Sequence, residues 1–286
     1  MKEVASLRYG VVFKKAFSDP IVFKGFVRDF LGINLEIDRV ETEKAFDKPV
    51  GNIDSRFDLF AEDTKNRVIV DIQHVRHVDH YDRFLHYHCA ALLEQAVKYL
   101  EYRPARTVFT LVVLTSGDKH KNDIAVIDFD PKTLQGVALG EIPHKILYIC
   151  PKYLNETTPE PYREWMLAIE DSLDGQVNES NYSRAEILRI FELIKEDTLS
   201  PQECARIIDE KRNETYSNDK YNQGLEKGIQ QGLEKGLQQG LEQKAKETAQ
   251  AMLQEGLDIK LIMKVTALTE DDILSLQVEQ VEPSNK

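Results

Sequence analysis

The chain has 286 residues, 42% of them apolar and 30% charged, which is the composition of an ordinary folded protein with room for one substantial core plus appendages. No apolar run is long enough to cross a bilayer and the first residues carry no signal-peptide core, so a cytoplasmic protein with no membrane partner is expected. A formal net charge of −12 confines any nucleic-acid surface to a local patch, and three widely spaced cysteines, Cys89, Cys150 and Cys204, argue against a disulfide framework or zinc knuckle and for buried thiols.

In chain order, Val12, Phe13, Ala16, Phe17, Phe23, Phe26, Val27, Phe30 and Leu31 keep helical spacing, interrupted by Asp19-Pro20, which predicts two helices within residues 8–32. Leu35 to Val50 reads as an extended connection or edge strand, with Pro49 and Gly51 as punctuation. Phe57, Leu59 and Phe60, then the polar turn Glu62–Asn66, then β-branched Val68-Ile69-Val70 predict a β-hairpin. A two- or four-residue loop centred on Lys65 and Asn66 would set Asp58 opposite Gln73 and diagonal to Asp71, all on one face. Two carboxylates and an amide so placed suit a hard divalent cation such as Mg²⁺. The bland alternative is a pair of solvated carboxylates on an open sheet face.

Residues 79–102 carry the apolar spacing of a long helix, and Val108–Leu114, Ile124–Phe129 and Lys145–Cys150 read as strands. Strand, helix and strand after a hairpin give an α/β core with a mixed sheet. From Pro159 to Asp219 the pattern turns helical, around Trp165–Ile169 and Ile187–Ile194. Gly224, Gly228, Gly232, Gly236 and Gly240 then recur every fourth residue, each followed by Leu or Ile. At about 1 kcal/mol per glycine relative to alanine, such a helix needs a partner packed on it, so the segment reads either as a self-association helix or as a flexible spacer. Residues 246–286 read as a miniature three-helix unit, with Gly256 ending its first helix and Thr269 capping its last with Asp272. Its connection resembles helix-turn-helix, yet residues 221–286 hold 11 acids against 7 lysines, which favours protein contact over DNA docking. The expected organisation is a core over 1–155, a helical subdomain over 156–220, a glycine-repeat helix or linker over 221–245, and a helical tail over 246–286.

His74, His77, His80, His86 and His88 cluster without a defensible zinc spacing, and read as phosphate contacts or exposed helix positions. Lys65, Arg67, Arg76, Arg83, Lys98, Arg103 and Arg106 flank the hairpin in sequence as candidates for a local DNA surface.

Five spaced segments resemble, in order, the recombination-promoting nuclease (Rpn) family of the PD-(D/E)XK nuclease superfamily. They are the helix Val12-Phe-Lys-Lys-Ala-Phe17, the strand Arg56-Phe-Asp-Leu-Phe-Ala-Glu62, the strand end Asp71-Ile-Gln73, the helix from Arg83-Phe-Leu-His-Tyr87 to Gln95 and Tyr102, and the apolar strand Val108–Leu114. The chain departs at Asp71, where the family usually has Glu, and at Tyr9-Gly10, where it usually has an acid. The resemblance implies a restriction-endonuclease-like mixed-sheet core with a helical C-terminal extension. It also implies a Mg²⁺-dependent DNA endonuclease tied to recombination or mobile DNA, with Mn²⁺ or Ca²⁺ as substitutes. Asp58 and Asp71 would ligate the metal, Gln73 would orient water or a phosphoryl oxygen, and Arg83 would steady phosphate or else pair with Asp79 or Glu94. DNA and a second copy bound through the C-terminal helices are the expected partners. The rival reading is a catalytically impaired nuclease fold that acts through oligomerisation or partner binding by the glycine-repeat tail.

Overall fold

In a computed structural model, which describes residues 1–46, 55–74, 80–98 and 103–279, the chain divides into two units, 1–214 and 215–286. Pro49, Gly51, Arg76, His77, Asp79 and Tyr102 lie outside the described residues, as do the side chains of Val97 and Lys98.

The first unit opens with a two-residue strand, β1 (Lys2–Glu3), followed by the expected pair of helices, α1 (Gly10–Phe17) and α2 (Pro20–Leu31). Asp19 separates them by capping: its carboxylate accepts from the Ile21 and Val22 amides at 3.0 and 3.3 Å, Pro20 takes the first helical position, and Gly32, at φ 69°, ends α2. The strands are β2 (Glu41–Ala45), β3 (Arg56–Glu62), β4 (Asn66–Gln73), β5 (Thr107–Leu114), β6 (Ile124–Asp128) and β7 (Lys145–Ile149). They form one sheet in the order β2-β3-β4-β5-β7-β6, parallel between β4, β5 and β7 and antiparallel elsewhere. A parallel neighbour needs a crossover, and α3 (His80–Lys98) supplies it between β4 and β5.

Both faces of the sheet are covered, which is why β4, β5 and β7 are almost continuously apolar. Val68, Val70, Leu111, Val113 and Leu147 pack with Phe13, Phe17 and Phe26, and with Trp165 of α4 (Tyr162–Asp171). Ile187 and Phe191 of α5 (Ala185–Leu193) join the same cluster, so residues after 156 share the first unit's core. The alternate residues Val112, Ile146 and Tyr148 meet Phe84 of α3, while Ile69 and Val108 meet Ala91. Full burial of each such side chain is worth roughly 1.5–3 kcal/mol. A further strand, β8 (Gln176–Val177), pairs with β1 outside the main sheet, a pairing too short to read from sequence.

Helix α6 (Pro201–Gln254) begins in the first unit, and its residues from Thr215 belong to the second. A reciprocal cap starts it: the Glu203 amide donates to Ser200 Oγ at 3.2 Å and the Ser200 amide to Glu203 Oε2 at 2.7 Å. The glycine repeat lies inside this one helix. Leu, Glu, Lys and Gln at the intervening positions are strong helix formers, and extension from an existing helix avoids the cost of nucleation.

In the second unit, α6 is followed by α7 (Ile259–Thr266) and α8 (Glu270–Glu279), packed on Ala249, Ile262, Ile273 and Leu276. Gly256, at φ 74°, follows α6, and Thr269 and Asp272 cap α8, as the sequence predicts. Among the described residues no helix is long and apolar enough to cross a membrane.

Candidate active site

The hairpin register differs by two residues from the expected one. Leu59 pairs with Val70, Phe60 with Ile69, Ala61 with Val68 and Glu62 with Arg67, which carries Asp58 toward Asp71 rather than Gln73. The cause is Asp63. Its Oδ1 accepts from the Lys65 and Asn66 amides, both at 2.7 Å, which centres the turn on Thr64-Lys65. Moving a turn centre by one residue moves every cross-strand partner by two.

The backbone pairing of β3 and β4 stops at Leu59–Val70, and past it the two strands fork around the two carboxylates. The Asp58 amide donates to Asp71 Oδ1 at 3.3 Å, and the Ile72 amide donates to Asp58 Oδ2 at 3.2 Å. Each aspartate thus caps the other strand with one oxygen. The remaining oxygens have different surroundings. Asp71 is 3% exposed and its Oδ2 is buried without a hydrogen-bond partner, whereas Lys14 Nζ lies 3.4 Å from Asp58 Oδ1.

Burial, and then repulsion from Asp58, hold the Asp71 carboxyl well above the usual carboxylate range; Arg83 acts in the opposite sense. Burial also raises Asp58, against the pull of Lys14. Gln73 is buried on the same strand, two residues on from Asp71. The Arg83 guanidinium lies over the Phe84 and Tyr87 rings, 4.7 and 5.7 Å from their centroids. Glu94, one partner considered for Arg83, is instead bonded to Arg67 at 2.9 Å.

Three groups that local pattern does not reveal complete the surroundings. Lys14, on α1, pairs with both Asp58 and Glu43; burial works against its charge, but the two acids outweigh it and raise its pKa. Glu43, in the edge strand β2, has φ 53°, a left-handed backbone that costs a non-glycine residue about 1–2 kcal/mol. Glu210, on α6, accepts from the Gly10 and Val11 amides at 2.7 and 3.3 Å and so caps α1. Its carboxylate oxygens lie 3.7 and 3.8 Å from where a Gly10 Cβ would stand, so a carboxylate from 200 residues away occupies the neighbourhood of the acid missing at Tyr9-Gly10. His74 bonds Thr115 Oγ1 at 2.8 Å and Glu214 of α6 at 3.2 Å.

Other expectations need correction. Arg67 is no DNA contact: it is 3% exposed, bonded to Glu62, Glu94 and the Ala91 carbonyl. Arg106 is committed to the Asp63 carbonyl at 2.6 Å, while Lys65 and Arg103 are exposed. His80 and His88 are buried rather than exposed; His88 bonds Thr110 Oγ1 at 2.9 Å, stacks on Phe129, and is pushed down to about 3 by burial and then by His144. Of the thiols, Cys150 is buried, Cys89 half-buried and Cys204 exposed.

Among the described residues no three His, Cys, Asp or Glu side chains gather as a metal cluster. Two carboxylates are nevertheless a donor set for a cation that keeps most of its waters, and a buried carboxylate oxygen without a partner is the kind of atom such a cation satisfies. Asp58 and Asp71 therefore fit a divalent metal.

The six-stranded mixed sheet, the forked hairpin and the helical C-terminal extension define an α/β protein with a nuclease-like core. Residues 242–278 match the family model described as "Rpn/YhgA-like nuclease family, C-terminal HTH domain", so the end of the chain is similar to that domain. The matched residues are the end of α6 with α7 and α8, the unit whose connection reads as helix-turn-helix; the sheet lies outside them. No curated protein and no solved structure matches the chain.

Proposed function

We propose that this chain is a metal-dependent DNA endonuclease of the PD-(D/E)XK type, cytoplasmic, that acts in recombination or on mobile DNA. The observation that carries the reading is the fork between β3 and β4. It brings Asp58 and Asp71 together with one buried oxygen unsatisfied, an arrangement that costs stability and that a bound cation would offset. Asp58 and Asp71 would hold Mg²⁺, or Mn²⁺ or Ca²⁺ in its place; when bound, the cation polarises the phosphate and makes water a better nucleophile.

The chain's own groups do the rest. Hydrolysis forms one P–O bond from water and breaks one to a sugar oxygen, which departs with a proton from that water. Gln73, neutral, orients the water or a phosphoryl oxygen by hydrogen bonding. Arg83 sets the field at Asp71 and steadies phosphate. A second copy, joined through α6, is the proposed protein partner, because Leu225, Ile229, Leu233, Leu237 and Leu241 are exposed along it.

Supercoiled plasmid incubated with the protein in Mg²⁺, Mn²⁺ or EDTA, beside Asp58→Ala and Asp71→Ala, tests the assignment. Metal-dependent nicking absent from both variants is expected. Nicking that survives in the variants would reject the site, and DNA binding without nicking would select the impaired nuclease fold.

A further inference from the structure

Lys14 reaches Asp58 from a different element, and it meets Oδ1, the oxygen that the Ile72 amide leaves open. Oδ1 is therefore the Asp58 oxygen for which Lys14 and a cation would compete. The ammonium is also held by Glu43, whose side chain is placed by an unfavourable left-handed backbone, so strain is concentrated on the residue that tethers this lysine. On β4, the position two residues past Asp71 is Gln73, which carries no charge. Arg83 supplies positive field, but at Asp71 rather than at the exposed side of the fork, where the Asp58 side chain keeps 24% of its surface.

On the reading of the site as a metal-dependent nuclease, we infer that Lys14 is a catalytic residue with two positions: on Asp58 before a cation binds, and on a phosphoryl oxygen of the DNA once the cation has taken that carboxylate. The lysine first balances a carboxylate pair that would otherwise repel itself, and then supplies the charge that Gln73 lacks. Glu43 keeps the ammonium within reach during the exchange, because its carboxylate holds the same Nζ.

Two readouts test this on the full chain, with circular dichroism to confirm folding: Mn²⁺ affinity by calorimetry, and plasmid cleavage at saturating Mn²⁺. Lys14→Met removes a positive charge that competes for Asp58, so Mn²⁺ should bind about tenfold tighter. Cleavage should nevertheless fall roughly 100-fold, the scale of losing one group that stabilises developing charge. Lys14→Arg should recover part of the cleavage. Tighter Mn²⁺ binding with undiminished cleavage would make Lys14 a counter-ion only, and unchanged Mn²⁺ affinity would show that it does not compete for Asp58; either result overturns the inference. If, with Lys14 intact, Asp58→Asn and Asp71→Asn leave Mn²⁺ binding unchanged, the nuclease site itself fails and the inference falls with it.

Discussion

The two units place their unfavourable groups in opposite ways. In the α/β unit these groups converge on a point: Asp71 without a partner for Oδ2, Asp58 beside it, and Glu43 in a left-handed backbone across from Asp58, on the three neighbouring strands β4, β3 and β2. In the C-terminal unit they run along a line: five glycines in a helix interior, each followed by an exposed Leu or Ile. A point of strain suits chemistry on one atom of a ligand, whereas a line of small and apolar residues suits another long surface. The contrast separates a proposed site contained within one chain from a surface proposed to take a second.

Breaking the ion network around Arg67 in the first unit should have the largest effect. Arg67→Ala removes the buried cation bonded to Glu62 and Glu94 and vacates its site, and should destabilise by about 3 kcal/mol or more, read by urea unfolding of the full chain. A change of stability below ~1 kcal/mol would mean that water already screens this network.

The next effect has the opposite sign. The carboxyl of Asp71 has a pKa raised by folding, so ionising it penalises the native state. This penalty is absent below the unfolded value of about 3.9, grows as pH rises through the window up to the folded value, and is fully present above it. Asp71→Asn should therefore raise Tm at pH 7 by at least about 3 °C, the shift ~1 kcal/mol produces in a domain of this size, and the gain should vanish by about pH 4. A gain that persists in acid would trace to packing instead.

Smallest per substitution, and specific to the other region, is replacement of the five repeat glycines by alanine. An added Cβ meets nothing within 4 Å at any of them, so helix stability should rise by about 1 kcal/mol per site, seen as later loss of helical circular dichroism. If a second α6 approaches along the glycines, the same five methyl groups should weaken self-association in sedimentation experiments. Unchanged association would move the contact to the leucines.

How much of this was legible follows from how local each cause is. The first two helices, the hairpin and the strands β5, β6 and β7 could be read because periodicity and capping act within a few residues. Asp58 and Asp71 were placed in the right neighbourhood, but the register was misread because one side chain, Asp63, recentred the turn. The burial of Arg67 and His88 was hidden because a charge on a strand and an imidazole on a helix look alike whether solvated or satisfied inside. Lys14 stood within a recognised segment, yet nothing near it in sequence says which carboxylate its four-carbon stem reaches. Glu210 was beyond any local reading, since its partners Gly10 and Val11 lie about 200 positions earlier.

That last separation bears on synthesis. A ribosome that has delivered only the first 200 residues has supplied every strand of the sheet and both aspartates, but not the carboxylate that caps α1, nor the Glu214 that meets His74. The surroundings of the fork are finished late in translation, by the same helix that leads into the C-terminal unit.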